Sequence, residues 1–237
     1  MTTSLSSSVA PRPPRVASVR HTAIFLGILL SLAVVGARSH AALTPPGSAG
    51  SRPSVLAIYL PLAVAEWLLV FFVWRGVRAA GGSLRDLVGG RWSSLRDPLR
   101  DAALGAAVWG GWVLANAAWV RWHPDAPATS VQGLLPRGPV EVAVWIALSC
   151  SAGVAEEIAF RGYLLRQMRS FTGSAMAAVL LQAVLFAVVH SYQSLTACVK
   201  IAIYGALFGG VALWRRSLRP GMFAHAWTDI AAGIFRI

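Results

Sequence analysis

Four carboxylates and two histidines lie inside stretches of sequence that are otherwise apolar: Glu66, Glu156, Glu157, Asp229, His190 and His225. Five of the six follow Glu141. A charge near the centre of a bilayer costs about 2.5–3.5 kcal/mol even on the lenient insertion scale, so an embedded charge marks function more often than a surface charge does. Carboxylates and imidazoles exchange protons near neutral pH, which is general acid–base chemistry. A covalent nucleophile is disfavoured, because no serine or cysteine shares a helix face with a histidine. Ser191 follows His190 directly, and adjacent residues diverge on a helix.

Spacing gives these residues partners. Glu157 and Arg161 stand four apart, so they can pair on one helix face, and the pairing lowers the cost of burying both. Glu156 points about 100° away from Glu157 and has no basic residue three or four positions on, which makes it the unpaired carboxylate. His225 and Asp229 are again four apart, and the aspartate can orient the imidazole. Phe186 shares a face with His190. If the fourth and fifth spans form a hairpin turning at Thr172–Gly173, Glu156 and His190 reach a similar depth, roughly 25 Å from the turn. That requires the fourth helix to continue past Arg161. The same arithmetic leaves His225 and Asp229 about 10 Å nearer the turn end than His190.

Three motifs emerge in order: Glu156-Glu157-Ile-Ala-Phe-Arg161, Phe186-Ala-Val-Val-His190 and His225-Ala-Trp-Thr-Asp229. Their types, order and spacing resemble the EExxxR, FxxxH and HxxxN/D motifs of the CAAX prenyl protease and bacteriocin-processing (CPBP, or Abi) family, over about residues 141–235. The resemblance implies a membrane-embedded endopeptidase. By position, Glu156 and His190 would activate the attacking water. His225 and Asp229 would stabilise the oxyanion or help hold a metal, and Glu157, Arg161 and Phe186 would shape the site. Peptide hydrolysis needs such a base for the water, an acid for the leaving amine and donors for the oxyanion. Glu156, His190 and His225 could also supply a three-ligand catalytic zinc site, although the HExxH helix of soluble metalloproteases is absent. Zinc therefore stays an open expectation, since members of the family are described both as metalloproteases and as metal-free glutamate proteases. The implied partners are the lipid bilayer and a membrane-associated protein or peptide, CAAX-type in some members. Two other classes stay open: a non-catalytic immunity or scaffold protein, and a transporter or proton relay.

The elements that must position these groups follow from composition. Of the 237 residues, 56% are hydrophobic and 13% charged. A soluble domain carries about 25% charged residues. So little charge cannot cover a water-facing surface, and the expected fold is an all-α polytopic transmembrane bundle. About seven spans are expected, over roughly 22–37, 55–74, 102–120, 140–160, 174–190, 196–214 and 221–235. Residues 1–21 are expected to be a disordered cytoplasmic tail, 22–138 three N-terminal spans, and 139–237 a four-span protease core. The net charge of +12 excludes nothing by itself, but its twenty arginines flank apolar runs and no nucleic-acid motif is present. Fifteen arginines fall in the tail, after the second span, after the fourth and after the sixth, against five on the other side. The positive-inside rule then puts the N-terminus in the cytoplasm of a multi-pass cell-membrane protein. Cys150 and Cys198 lack CxxC spacing and are expected to be inert thiols.

Overall fold

Stretches of uninterrupted apolar sequence become the longest helices of the computed structural model, which describes residues 12–43, 55–89, 91–122 and 134–235. The order is α1 (Val19–Leu43), α2 (Val55–Ala79), α3 (Leu84–Val88), α4 (Arg96–Trp122), α5 (Pro139–Glu156), a π-helical segment (Glu157–Leu164), α6 (Leu165–Thr172), α7 (Ala175–Val189), α8 (Leu195–Arg215) and α9 (Arg219–Phe235). No strand occurs among the described residues, and the chain is an all-α integral membrane bundle.

Among the described residues, five helices are long and apolar enough to cross a membrane: Val19–Ser39, Ala57–Ala79, Arg96–Trp122, Pro139–Thr172 and Leu195–Arg215. The expected count of seven is therefore too high by this measure. The fifth expected span is the shorter apolar helix Ala175–Val189. The seventh is α9, 17 residues long, whose His225, Thr228 and Asp229 dilute its apolar character. The fourth expected span, by contrast, runs unbroken for 34 residues. At 1.5 Å per residue that is about 50 Å, well beyond a bilayer core of about 30 Å. The helix thus passes Arg161 and ends at Gly173, whose φ of +72° is the left-handed conformation glycine adopts without strain.

Sequence punctuation sets the other ends. Pro139 occupies the first turn of α5, where its missing N–H costs nothing. Ser174 and Ser194 cap α7 and α8 by accepting from the amides of Ala177 and Ala197. Ser83 and Asp86 form a capping box on α3. The Ser83 hydrogen bonds hold the Asp86 carboxyl below the usual carboxylate range.

The continuous run 139–172 is the axis of the bundle. Ala155, Ala159, Tyr163, Leu164 and Leu165 are almost wholly buried along it. The helix pairs in closest association are α7 with α8, α5 with α9, α4 with α9, and α2 with α5. Conversely, Leu60, Leu62, Val64, Trp67, Leu68 and Phe71 on α2 are exposed. A contiguous apolar surface of that extent belongs against lipid.

The arginine-bearing segments converge at one end. Gln167, fully buried on α6, accepts from the amides of Val16 and Ala17 at 2.7 and 3.3 Å. Its Nε2 donates to the Ala17 carbonyl and to Thr22 Oγ1. Of the tail expected over residues 1–21, residues 1–11 lie outside the described residues, while Val16 and Ala17 are fastened to α6. Arg166 donates to the carbonyls of Asp86 and Leu87 on α3, and the Leu218 amide donates to the Val88 carbonyl. One amide side chain, Gln167, thus replaces the water that the chain entering α1 would otherwise need.

Candidate active site

The site is built where α5 gives way to the π-helical segment, facing α9. All eight residues of that segment are buried. A π-turn is rare inside an α-helix and rotates the side chains that follow it. It begins immediately after Glu156, so Glu156 and Glu157 take different environments: side-chain exposure is 20% for Glu156 and 1% for Glu157.

Glu157 lies 3.0 Å from Arg161 Nη1, as their spacing predicts. The Arg161 guanidinium, also fully buried, sits 4.2 Å above the Phe186 ring and 5.5 Å from that of Phe208. Aromatic faces accept a desolvated cation with an energy of about 2 kcal/mol. This packing explains why Phe186 recurs beside the site: its ring also lies 4.7 Å from that of His190 and 6.0 Å from that of His225.

Glu157 also reaches beyond its own helix. His225 Nδ1 lies 3.2 Å from Glu157 Oε1. The sequence spacing assigns the orientation of His225 to Asp229, and here the structure differs. His225 Nδ1–H donates to Glu157, while Nε2 faces Glu156 Oε2 at 3.6 Å and Asp229 Oδ2 at 3.7 Å. The last two are ion-pair contacts, longer than hydrogen bonds. A carboxylate can only accept, so the short contact fixes a proton on Nδ1 and aims Nε2 at the pair of half-open carboxyls. Asp229 is the most exposed member, at 36%.

His190 caps the end of α7. Its Nδ1 lies 2.8 Å from the Phe186 carbonyl, which can only accept, so Nδ1 carries the proton and Nε2 is left with a lone pair. Among the described residues no hydrogen bond or ion pair joins His190 to Glu156. The two histidines instead flank Phe186. At the α8–α9 turn Arg216 adopts φ 52°, and the Leu218 amide ties the start of α9 to α3 through the Val88 carbonyl.

Residues that spacing does not single out complete the frame. Tyr204 donates to Thr228 Oγ1 at 2.8 Å, and Trp145 Nε1 donates to the Asp229 carbonyl at 2.8 Å, fixing α9 on both sides. Glu66, isolated in the sequence, is not isolated in space. Ser151 on α5 donates to it at 3.1 Å, and it lies within electrostatic reach of Glu156, Asp229 and His225. Lys200 is turned away to Asn116 on α4, at 2.8 Å.

The approach of α9 to α5 depends on Gly153. A Cβ there would stand 2.9 Å from both the Met222 carbonyl and the Ala226 amide, which are backbone atoms that cannot rotate aside. Gly153→Leu is expected to force the helices apart and cost about 1–3 kcal/mol in chemical or thermal unfolding. Gly110→Leu on α4, which meets open space, is expected to stay within about 0.5 kcal/mol of the parent.

A zinc ion needs three protein ligands converging at about 2.0–2.2 Å from one point. Among the described residues no three of His, Cys, Asp and Glu form such a group. Both histidines keep Nε2 available, with Nδ1 held by the Phe186 carbonyl and by Glu157, but the expected set of Glu156, His190 and His225 does not converge as a three-ligand group. As arranged, these residues do not fit a resident zinc.

Comparison with known protein families gives a match over the C-terminal part of the chain. Residues 138–231 fit the family model described as Type II CAAX prenyl endopeptidase Rce1-like. That interval contains Glu156, Arg161, His190, His225 and Asp229 and excludes Glu66. No curated protein and no solved structure matches the chain. The three motifs, their helical setting and this match agree: over residues 138–231 the chain is similar to the CAAX prenyl protease and bacteriocin-processing family of membrane proteins.

Proposed function

We propose that the protein is an intramembrane endopeptidase of the cell membrane that hydrolyses a peptide bond in a membrane-associated protein or peptide, with Glu156 as the base that activates water. The observation that carries this reading is the unequal treatment of two adjacent carboxylates. Glu157 is sealed against Arg161 and His225, whereas the neighbouring Glu156 is half-open and has an imidazole 3.6 Å away. A structural role would seal both.

In this reading a water beside Glu156 gives its proton to the carboxylate and adds to the substrate carbonyl. Glu156 then hands the proton to the departing amine. The oxygen that gains charge needs a donor, and His225 Nε2 supplies one when protonated, held in line by its Nδ1–H bond to Glu157. Asp229 balances that charge from the open side. His190, with Nε2 carrying a lone pair, serves as a second acceptor for the water or for a substrate N–H. The 139–237 segment acts as the protease core and the N-terminal spans as its support in lipid.

The test uses the full chain reconstituted in vesicles with a peptide ending in a lipid-modified CAAX sequence and with its unmodified counterpart. Release of a C-terminal fragment from the lipid-modified peptide, read by mass spectrometry, is expected. Folded protein that cleaves no membrane-anchored peptide would contradict the proposal.

A further inference from the structure

Away from the Glu156–His225 cluster, the arginine-rich end contains a cavity of about 540 Å³ between the start of α1 and the end of α2. Arg15, Ser18, His21 and Arg75 supply its polar lining, and no carboxylate lines it. Pockets that hold small ligands run from about 300 to 1,000 Å³. Arg15 and Arg75 are exposed, and among the described residues neither has a carboxylate partner.

The walls are built. His21 Nδ1 meets the Tyr163 hydroxyl at 2.8 Å and its Nε2 meets the Phe72 carbonyl at 3.0 Å, with the ring stacked 4.1 Å from Phe72. His21 is therefore a fixed wall and not a mobile ligand. It fits only because position 76 is glycine, where a Cβ would come within 2.3 Å of the ring. Ser18 caps α1 by accepting from the His21 amide at 3.2 Å, so the positive end of the α1 dipole opens into the same space.

We propose that this cavity binds a phosphate-bearing anion through Arg15 and Arg75. Two guanidinium groups and a helix amino terminus present donors and positive charge together, which suits phosphate oxygens. The volume exceeds that of a bare phosphate and leaves room for a glycerol-type headgroup. The location, at the end where arginines gather, faces the leaflet whose anionic lipids attract them. A lipid headgroup and a soluble phosphate share this chemistry.

The experiment titrates detergent-solubilised full-length protein, followed by native mass spectrometry, with phosphatidylglycerol, with phosphatidylcholine of the same acyl chains, and with inorganic phosphate. The Arg15→Ala/Arg75→Ala variant is expected to bind phosphatidylglycerol about tenfold more weakly than the parent. Arg78→Ala/Arg85→Ala, which removes two exposed arginines outside the cavity, is expected to stay within about twofold. Displacement of the lipid by millimolar inorganic phosphate supports the same site with a soluble occupant, and its failure to displace supports a lipid one. Equal binding by the Arg15/Arg75 variant, an equal loss in the Arg78/Arg85 variant, or phosphatidylcholine bound as tightly as phosphatidylglycerol would overturn the proposal.

Discussion

Glu156→Ala is expected to lower cleavage by about a hundred- to ten-thousandfold while leaving the protein abundant in the membrane. A positioned general base contributes about 10²–10⁴ in rate, and no second carboxylate can take over without moving. Glu157 is committed to Arg161 and His225. Asp229 extends from α9 and meets Nε2 from its own helix. Folding is spared for a separate reason. Glu156 makes only the long 3.6 Å contact to His225, so its removal strands no hydrogen-bonded partner. Glu156→Gln, nearly equal in shape but unable to accept the proton, is expected to lose as much. Substantial cleavage by the Gln variant, at matched abundance, would assign the base elsewhere.

Arg161→Met has the opposite signature. It removes the cation that neutralises Glu157 in a wholly buried position, and the side chains of both are at most 1% exposed. Breaking a buried pair from one side costs about 3–5 kcal/mol, because the remaining charge is left uncompensated. The Phe186 and Phe208 faces lose their cation as well. Membrane abundance and thermal midpoint are therefore expected to fall sharply. The double variant Glu157→Gln/Arg161→Met, which buries no charge at this pair, is expected to recover a large part of the stability and little of the activity, since Glu157 also holds His225 Nδ1. A single Arg161→Met variant as stable as the parent would show that the pair is not what closes the interior.

The contrast between these two substitutions rests on a division that the sequence half discloses. The 3.6-residue period is enough to pair Glu157 with Arg161 and to leave Glu156 unpaired. It assumes a regular helix, however, and the π-helical segment from Glu157 to Leu164 breaks that assumption where the site lies. Nothing in the residues Glu-Ile-Ala-Phe-Arg-Gly-Tyr-Leu announces the wider turn, because its stability comes from neighbours on α2, α3, α7 and α8. For the same reason spacing names Asp229 as the residue that orients His225, while the shorter contact comes from Glu157 across the interface. Same-helix relations are legible in the sequence; inter-helix relations depend on how closely the helices approach, and here that is set by Gly153.

Span boundaries show a similar limit. Apolar runs fix α1, α2, α4 and α8 closely, because lipid imposes length and composition together. The helix through Arg161 extends to Thr172 because Arg161 is neutralised internally, which a hydropathy count treats as an exit from the membrane. Gln167 is not singled out by spacing, yet it is the buried anchor of Val16 and Ala17. Glu66 reads as isolated, since its partner Ser151 is 85 residues away on α5.

The most direct test of the central claim is to compare newly formed protein N-termini in cells making the parent protein with those in cells making Glu156→Ala, both verified at equal membrane abundance. Fragments that appear only with the parent are predicted, cut from membrane-associated proteins. Identical N-termini in the two cell populations, under conditions where the protein is made, would contradict a proteolytic role for Glu156 and favour a non-catalytic membrane partner.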